Sequence, residues 1–128
     1  MRAAASAWSV PPLRWIAARR STPTASATQI EGGIPQSASW ALYESITFDR
    51  TRITSRDWSS YPILRFSAVP DSVEVDVIDR PGQPFLGTGE AAQGPTAAAI
   101  ANALADAAGV RVRGLPLTAQ RVKAAIGI

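Results

Sequence analysis

The sequence predicts an α+β fold in which a small, incomplete sheet packs beside three helices, after a disordered N-terminal tail. Valines alternate with acidic residues between Asp71 and Ile78, which is typical of a strand with one solvated face. An alanine-rich stretch with helical apolar spacing ends at Gly109, which indicates a helix. Because so few strands leave apolar surface uncovered, the body is expected to be part of a larger domain.

The composition limits the chemistry that the chain can carry. Its 128 residues suffice for one domain, and 46% hydrophobic with 18% charged residues is typical of a globular body. The sequence has no cysteine, which excludes disulfides and thiolate ligands, and no histidine, which excludes imidazole bases and ligands. Any reaction must therefore rest on carboxylates, hydroxyls, amides, arginine or a bound cofactor.

The basic charge is concentrated in a leader, residues 1–28. Residues 1–30 contain four arginines and no acid, whereas all ten acids lie from Glu31 onward. The nearly neutral body argues against a nucleic-acid surface, and no apolar run approaches the length of a membrane span. The leader is expected to be poorly ordered, with at most a helical turn or two near Leu13–Arg19.

Two interpretations of the leader stay open. One is an organelle transit peptide, since the segment is acid-free and rich in arginine and serine. The other is that the segment is not native sequence of the parent protein. A twin-arginine export signal at 19–20 is discounted because no apolar core follows it. The sequence does not decide between a cytoplasmic and a periplasmic location.

The first half of the body predicts a helix followed by a hairpin. Apolar residues recur at helical spacing from Ile34 to Tyr43, and Pro35 is tolerated in a first turn. Glu44–Phe48 is predicted to form a strand, with Arg52–Ser55 as the returning arm. The large apolar side chains of the next stretch, from Trp58 to Phe66, are expected to pack on that hairpin.

The second half predicts the strand at 71–78, a glycine loop and two helices. Pro95 suits the start of the first of these helices, which Gly109 would end. Thr118 is predicted to cap the final helix, Ala119–Ile126, and Gly127 lies beyond its end.

The glycine loop is the strongest candidate site. Gly87 and Gly89 flank Thr88, and Glu90 follows at once. Glycine lets the backbone adopt positive φ or approach a ligand closely, so the loop can hold one carboxylate on a tight turn. By itself such a tetrapeptide is more often a plain loop with a solvated glutamate.

The motifs around this loop resemble the C-terminal end of the molybdopterin-binding large subunit of the xanthine dehydrogenase and aldehyde oxidase family. The most similar branch is the isoquinoline 1-oxidoreductase and nicotinate dehydrogenase type. The resemblance covers about residues 29–126, and an ordered series of motifs carries it. These are Gln-Ile-Glu-Gly-Gly at 29–33, Ala-Leu-Tyr-Glu at 41–44, Ile-Thr-Phe at 46–48, Tyr-Pro-Ile-Leu-Arg at 61–65, Gly-Thr-Gly-Glu at 87–90, Ala-Ile-Ala-Asn-Ala at 99–103 and Leu-Pro at 115–116. One departure is a serine at 60, where the family's pattern has an aspartate.

The resemblance implies roles for five residues. Glu90 would be the base beside the molybdenum in the oxidative hydroxylation of an aldehyde or N-heterocycle by water. Gly87, Thr88 and Gly89 would line the cofactor, and Gln29 would present an amide to the pterin. The alternative for Gln29 is an amide at a helix start that bonds its own backbone. No residue of the chain is expected to bind the metal itself.

The resemblance also implies partners that this chain lacks. Residues 29–128 would be the C-terminal part of a molybdopterin-binding domain, completed by the remainder of the large subunit and an iron–sulfur small subunit. The parent family uses a molybdenum–molybdopterin cofactor, and none is expected for the isolated chain, which should be inactive alone. The alternatives are a small targeted structural or interaction protein, and a split subunit that completes a separately encoded chain.

A frameshift would explain why the resemblance stops at Gln29. Family members carry Val-Asn-Pro-Asp-Gly upstream of that glutamine, and a one-base shift of codons 20–28 can encode this peptide. The hypothesis is that residues 1–28 are an out-of-frame translation. Sequencing the DNA across codons 20–29 tests it, and codons that cannot yield the shifted peptide would exclude it.

Overall fold

The computed structural model describes residues 13–17, 23–84 and 86–128. Within these ranges it confirms the α+β class, with three helices and a small sheet. No helix in the described ranges combines the length and the apolar character needed to span a bilayer. The elements, in chain order, are β1 (Leu13–Ala17), α1 (Pro23–Leu42), a short 3₁₀ turn (Phe66–Ala68), β2 (Val75–Asp79), α2 (Gln93–Ala108) and α3 (Ala119–Ile126).

Helix α1 begins at Pro23 and not at Ile34, so the predicted start is wrong. Ile30 and Ile34 are both fully buried on one face of this helix. Burial of that longer apolar stripe stabilises the earlier turns, and proline at position 23 is well suited to a first helical residue. Pro35, read as a first-turn residue, lies inside the helix. Residues 23–28 are therefore helical and not part of a tail.

The sheet has two parallel strands in the part of the chain that the structure describes. Strand β1 pairs with β2 in a register that sets Leu13 opposite Val75 and Ala17 opposite Asp79. A strand thus stands where the sequence predicts at most helical turns, because a non-local parallel pairing gives its backbone partners. The prediction of disorder for residues 1–12 and 18–22 lies outside the described residues.

The core forms where α1 packs on α2 and β2. Ile30, Ile34 and Ala92 make up its buried cluster, and Val73 and Val75 pack against it. Strand β2 begins at Val75 and not at Asp71, so the predicted start is wrong, but the predicted alternation is present at its start, with Val75 half-buried and the next residue exposed. The sheet therefore lies against the same helix face that receives α2.

The predicted hairpin is reduced to one antiparallel bridge between Phe48 and Ile53. The Asp49 amide donates to the Arg52 carbonyl at 2.9 Å and closes the turn. The expectation that large side chains pack on this hairpin is wrong for Trp58 and Phe66, whose residues are 68% and 91% exposed. These side chains are thus left on the surface of this chain.

The two C-terminal helices end as the sequence predicts. Helix α2 stops at Gly109 and α3 at Gly127, and both glycines adopt left-handed φ angles, of 69° and 82°. Thr118 caps α3 by accepting a hydrogen bond from the Arg121 amide. Helix α2 starts at Gln93, two residues before Pro95, so this proline still lies in the first turn, where it leaves no intrahelical bond unmade.

Candidate functional site

Glu90 lies in the turn that leads directly into α2. Its carbonyl accepts a hydrogen bond from the Gln93 amide at 3.1 Å, which ties the turn to the first residue of the helix. The Glu90 residue is exposed. The carboxylate is thus attached to a well-defined backbone while remaining open to solvent on the described surface.

Gly87 and Gly89 present bare backbone to open space. Neither adopts a positive φ, so that reason for glycine does not apply here. A Cβ built at either position would meet no atom within 4 Å. The described part of the chain therefore does not require glycine at these positions on steric grounds. Because glycine has no side chain, another group can approach the backbone closely here. Thr88 between them is half-buried.

Gln29 lies well inside α1 and is exposed. The helix begins at Pro23, so the alternative of an amide that caps a helix start does not fit this position. An exposed amide on a helix side keeps both its donor and its acceptor available to a ligand.

The two motifs, nearly sixty residues apart in sequence, meet at the junction of α1 and α2. A Cβ built on Gly33 would lie 3.2 Å from the Ala92 Cβ, closer than most side-chain contacts allow. Ile30, one residue after Gln29, shares the core cluster with Ala92, two residues after Glu90. The fold thus brings the end of the 29–33 motif against Ala92, two residues beyond the 87–90 motif, and this contact is called the junction.

Two hydrogen bonds join α1 to the start of α2 beside the same junction, and we call the first of them the Ser37–Gln93 clamp. Ser37 donates from its hydroxyl to the Gln93 carbonyl at 2.6 Å, and the Gln93 side-chain amide donates to the Gln36 side-chain oxygen at 3.3 Å. Ser37 is only 1% exposed, so its bond is largely protected from water. Sequence reasoning missed this pair. The available signal was a serine on the apolar stripe that Ile34 and Ala41 define.

A second polar cluster centres on Glu44. Its carboxylate accepts hydrogen bonds from the Ser39 hydroxyl and, at 2.6 Å, from the Tyr61 hydroxyl. Ser39 in turn accepts from the Leu64 amide at 2.9 Å. The bond to Glu44 raises the pKa of Tyr61, because the carboxylate stabilises the protonated phenol. This cluster fixes the 61–65 motif against the end of α1.

The described residues offer no cluster of three or more histidine, cysteine, aspartate or glutamate side chains that could hold a metal ion. Close in sequence to the junction, the chain instead carries an exposed carboxylate at Glu90, an exposed amide at Gln29 and glycine backbone at 87 and 89. This set can accept a proton and hydrogen-bond a flat polar group.

Similarity to a curated protein covers most of the chain. No protein-family model matches the sequence. The chain is 46% identical over 99 residues to a nicotinate dehydrogenase subunit from Pseudomonas putida. That alignment takes in 77% of this chain but only 8% of the relative.

Solved structures with the same fold include a quinoline oxidoreductase and a CO dehydrogenase. Quinoline 2-oxidoreductase from Pseudomonas putida 86 matches 88% of this chain with a TM-score of 0.72 and 25% identity. A Cu,Mo-CO dehydrogenase in its carbon monoxide reduced state matches 88% with a TM-score of 0.70, and its 21% identity shows the fold alone. Together, the similarity to the nicotinate dehydrogenase subunit and the shared fold support a molybdenum hydroxylase family for this chain. This chain spans 15% of each of those two chains.

Proposed function

We propose that this chain carries the base-bearing part of a molybdenum hydroxylase active site, with Glu90 as the general base. The parent enzyme would be a large subunit of the nicotinate dehydrogenase or isoquinoline 1-oxidoreductase type, which hydroxylates an N-heterocycle or aldehyde with oxygen from water. The observation that carries the proposal is the contact of Gly33 with Ala92, which joins the segments that carry the two motifs within a fold shared with quinoline 2-oxidoreductase.

The exposed groups at the junction fit a molybdenum–pterin cofactor. Gly87 and Gly89 leave the backbone open, so a large flat group could approach it closely. Thr88 would lie between them against the same group, and the exposed amide of Gln29 can donate to and accept from pterin heteroatoms. When bound, such a cofactor supplies the redox chemistry, and the protein supplies its orientation.

Glu90 would take the proton of the attacking water on a carboxylate oxygen. A general base must be held within hydrogen-bond reach of that proton. The hydrogen bond from the Gln93 amide to the Glu90 carbonyl fixes the backbone from which the Glu90 side chain extends. Gln93 is itself clamped to α1 through Ser37. A carboxylate that is removed from water is a stronger base, and this desolvation would come from the cofactor and the rest of the enzyme.

The isolated chain is expected to be inactive. It covers 8% of the nicotinate dehydrogenase relative, so most of an enclosing pocket would come from other segments. The partners we infer are the remainder of the large subunit and an iron–sulfur small subunit. The relative's name, which describes one subunit of an enzyme, agrees with this.

A chimera tests the role of Glu90. The matched 99-residue stretch of the nicotinate dehydrogenase relative is replaced by the corresponding part of this chain. Oxidation of nicotinate is then measured for the chimera, for Glu90→Gln and for the control Glu74→Gln. General-base loss predicts a kcat lower by about 10²–10⁴-fold for Glu90→Gln and an unchanged kcat for Glu74→Gln.

Elemental analysis separates the two parts of the proposal. Molybdenum content that stays at the chimera's level in Glu90→Gln, with kcat lost, supports a base that acts on bound substrate. Loss of molybdenum together with activity would assign Glu90 to cofactor retention instead. An active Glu90→Gln chimera would exclude the general-base role.

A further inference from the structure

The hairpin between residues 46 and 55 has one apolar and one polar face. Phe48 and Ile53 form its antiparallel bridge, so their side chains lie on the same face, and Ile46 shares that face at the strand period of two. Thr47 and Thr54 lie on the opposite face, where their hydroxyls are joined by a 2.8 Å hydrogen bond. We name Ile46, Phe48 and Ile53 the apolar face.

The apolar face is uncovered in this chain. Ile46, Phe48 and Ile53 are 61%, 77% and 54% exposed. Scattered exposed hydrophobics are ordinary, but three that are neighbours on one face form a patch of the kind that marks a protein contact. Burial of a phenylalanine and two isoleucines at an interface would remove their apolar surface from water, which favours association.

The turn that carries this face is held in one conformation. The Asp49 carboxylate accepts hydrogen bonds from the Thr51 amide, the Thr51 hydroxyl and the Arg52 amide, at 2.7, 2.8 and 2.9 Å. The Ser55 hydroxyl accepts from the Thr47 amide at 3.2 Å and fixes the base of the two arms. A preorganised loop loses little conformational entropy on binding, which favours docking.

The lengths of the relatives indicate what covers the face. The same fold lies in a quinoline 2-oxidoreductase chain of which this chain spans 15%, so that most of that chain is additional polypeptide around the shared unit. The alignment with the nicotinate dehydrogenase relative covers an even smaller share of that protein, 8% of its length. The polypeptide that would bury the hairpin is therefore the rest of such a large subunit.

We infer that the apolar face of this hairpin docks the remaining part of a molybdenum hydroxylase large subunit, and that the two parts associate even when supplied as separate chains. This inference rests on the proposed function and names its partner and contact surface. Phe48 is the central anchor, since it is the largest and most exposed of the three side chains. The polar face, with its paired threonines, stays in solvent.

Co-purification tests the docking. The full 128-residue chain carries an affinity tag and is co-expressed with the nicotinate dehydrogenase relative from which the matched 99-residue stretch is deleted. The amount of this shortened relative recovered with the tag is measured by native mass spectrometry. Phe48→Ser and Ile53→Ser should lower recovery by about tenfold or more, as expected for a buried anchor, while Thr54→Ala should stay within about twofold.

The thermal midpoint of each variant alone serves as the folding control. Since the apolar face is exposed, Phe48→Ser should shift this midpoint by no more than about 2 °C, as surface substitutions do. If Phe48→Ser unfolds the chain, Ile53→Ser decides the test. Equal recovery for apolar-face and Thr54 variants would overturn the inference, as would a homodimer of the chain that Phe48→Ser dissociates.

Glu90→Gln distinguishes this inference from the proposed function. The variant should still be recovered with the shortened relative, because glutamine has nearly the same shape as glutamate and Glu90 is not on the apolar face. An active covalent chimera combined with no recovery of the shortened relative would overturn docking and leave the function standing. Recovery of the shortened relative together with an active Glu90→Gln chimera would exclude the general-base role and leave the docking standing.

Discussion

Gly33 of α1 and Ala92 at the start of α2 lie in such close contact that a Cβ on Gly33 would be 3.2 Å from the Ala92 Cβ. The preceding residue, Gly32, has no atom within 4 Å of its own Cβ position. The two adjacent glycines therefore differ in one respect that matters: only Gly33 faces the junction that joins the two motifs.

The first prediction separates these glycines by alanine substitution. Gly32→Ala should raise the free energy of unfolding by about 0.5–1 kcal/mol, because alanine is the better helix former in an exposed helix interior. Gly33→Ala gains the same propensity but must displace Ala92, whose position is fixed by the Ser37–Gln93 clamp. Its stability should therefore fall at least about 1 kcal/mol below that of Gly32→Ala.

Urea unfolding of the two variants measures this difference. Gly33→Val extends the series, since a larger side chain at the contact should be worse than alanine. Equal stabilities for Gly32→Ala and Gly33→Ala would show that the junction can open at no cost, and that Gly33 does not set the spacing of the motifs.

The second prediction concerns the Asp57 turn. The Ser59 and Ser60 hydroxyls each donate to the same Asp57 oxygen at 2.7 Å, and the Ser60 amide adds a third bond at 2.9 Å. These bonds lower the pKa of Asp57 from 3.8 to about 2, with the Ser59 hydroxyl as the largest cause. Since the folded pKa is depressed, the contribution to stability is present above about pH 4 and is lost as pH falls toward 2.

Titration by NMR checks the assignment of this turn. Ser59→Ala should raise the pKa of Asp57 toward its usual value, and Ser72→Ala, at an exposed serine outside the turn, should leave it unchanged. An Asp57 that titrates identically in all three proteins would contradict the hydrogen-bonded geometry.

Local chemistry made the C-terminal helices predictable from sequence. The cap at Thr118 and the stops at Gly109 and Gly127 depend on residues within one turn of each boundary, and all three predictions are confirmed. The start of α1 was predicted too late. Pro35 was interpreted as a first-turn signal, whereas burial of Ile30 on the core outweighs the cost of a proline inside the helix.

Contacts distant in sequence were not predictable. The parallel pairing of β1 with β2 and the bond between Ser37 and Gln93 join residues that no local pattern connects. The exposure of Trp58 and Phe66 was missed for a related reason: the apolar character of a side chain predicts burial but does not say which polypeptide covers it.

The third prediction tests the cap of α3. The Thr118 hydroxyl oxygen accepts from the Arg121 amide at 3.3 Å, and the Leu117 amide just before it donates to the Ala41 carbonyl at 2.6 Å. Thr118→Ala should cost about 1 kcal/mol of α3 stability, and Thr118→Ser should cost little. Hydrogen exchange of the α3 amides measures the loss; equal protection in the two variants would mean that the cap is dispensable and that the Leu117 anchor alone holds the helix.

The last prediction links Tyr61 to alkaline stability. Its hydroxyl donates to the Glu44 carboxylate at 2.6 Å, which raises the pKa of Tyr61 above its usual value of 10.0. A folded pKa above the unfolded one means that the bond stabilises the fold below about pH 10, and that this stability is lost as pH rises through the folded pKa. Deprotonation would also set a phenolate beside a carboxylate.

Thermal midpoints from pH 8 to pH 11 test this for Tyr61→Phe. The variant should melt below the original protein at pH 8, and the difference should shrink as pH rises above 10, because the original protein alone loses the bond. Tyr43→Phe is the matched control, since Tyr43 is an exposed tyrosine just past the end of α1. Its curve should parallel that of the original protein; parallel curves for Tyr61→Phe as well would show that the Tyr61–Glu44 bond contributes nothing to stability.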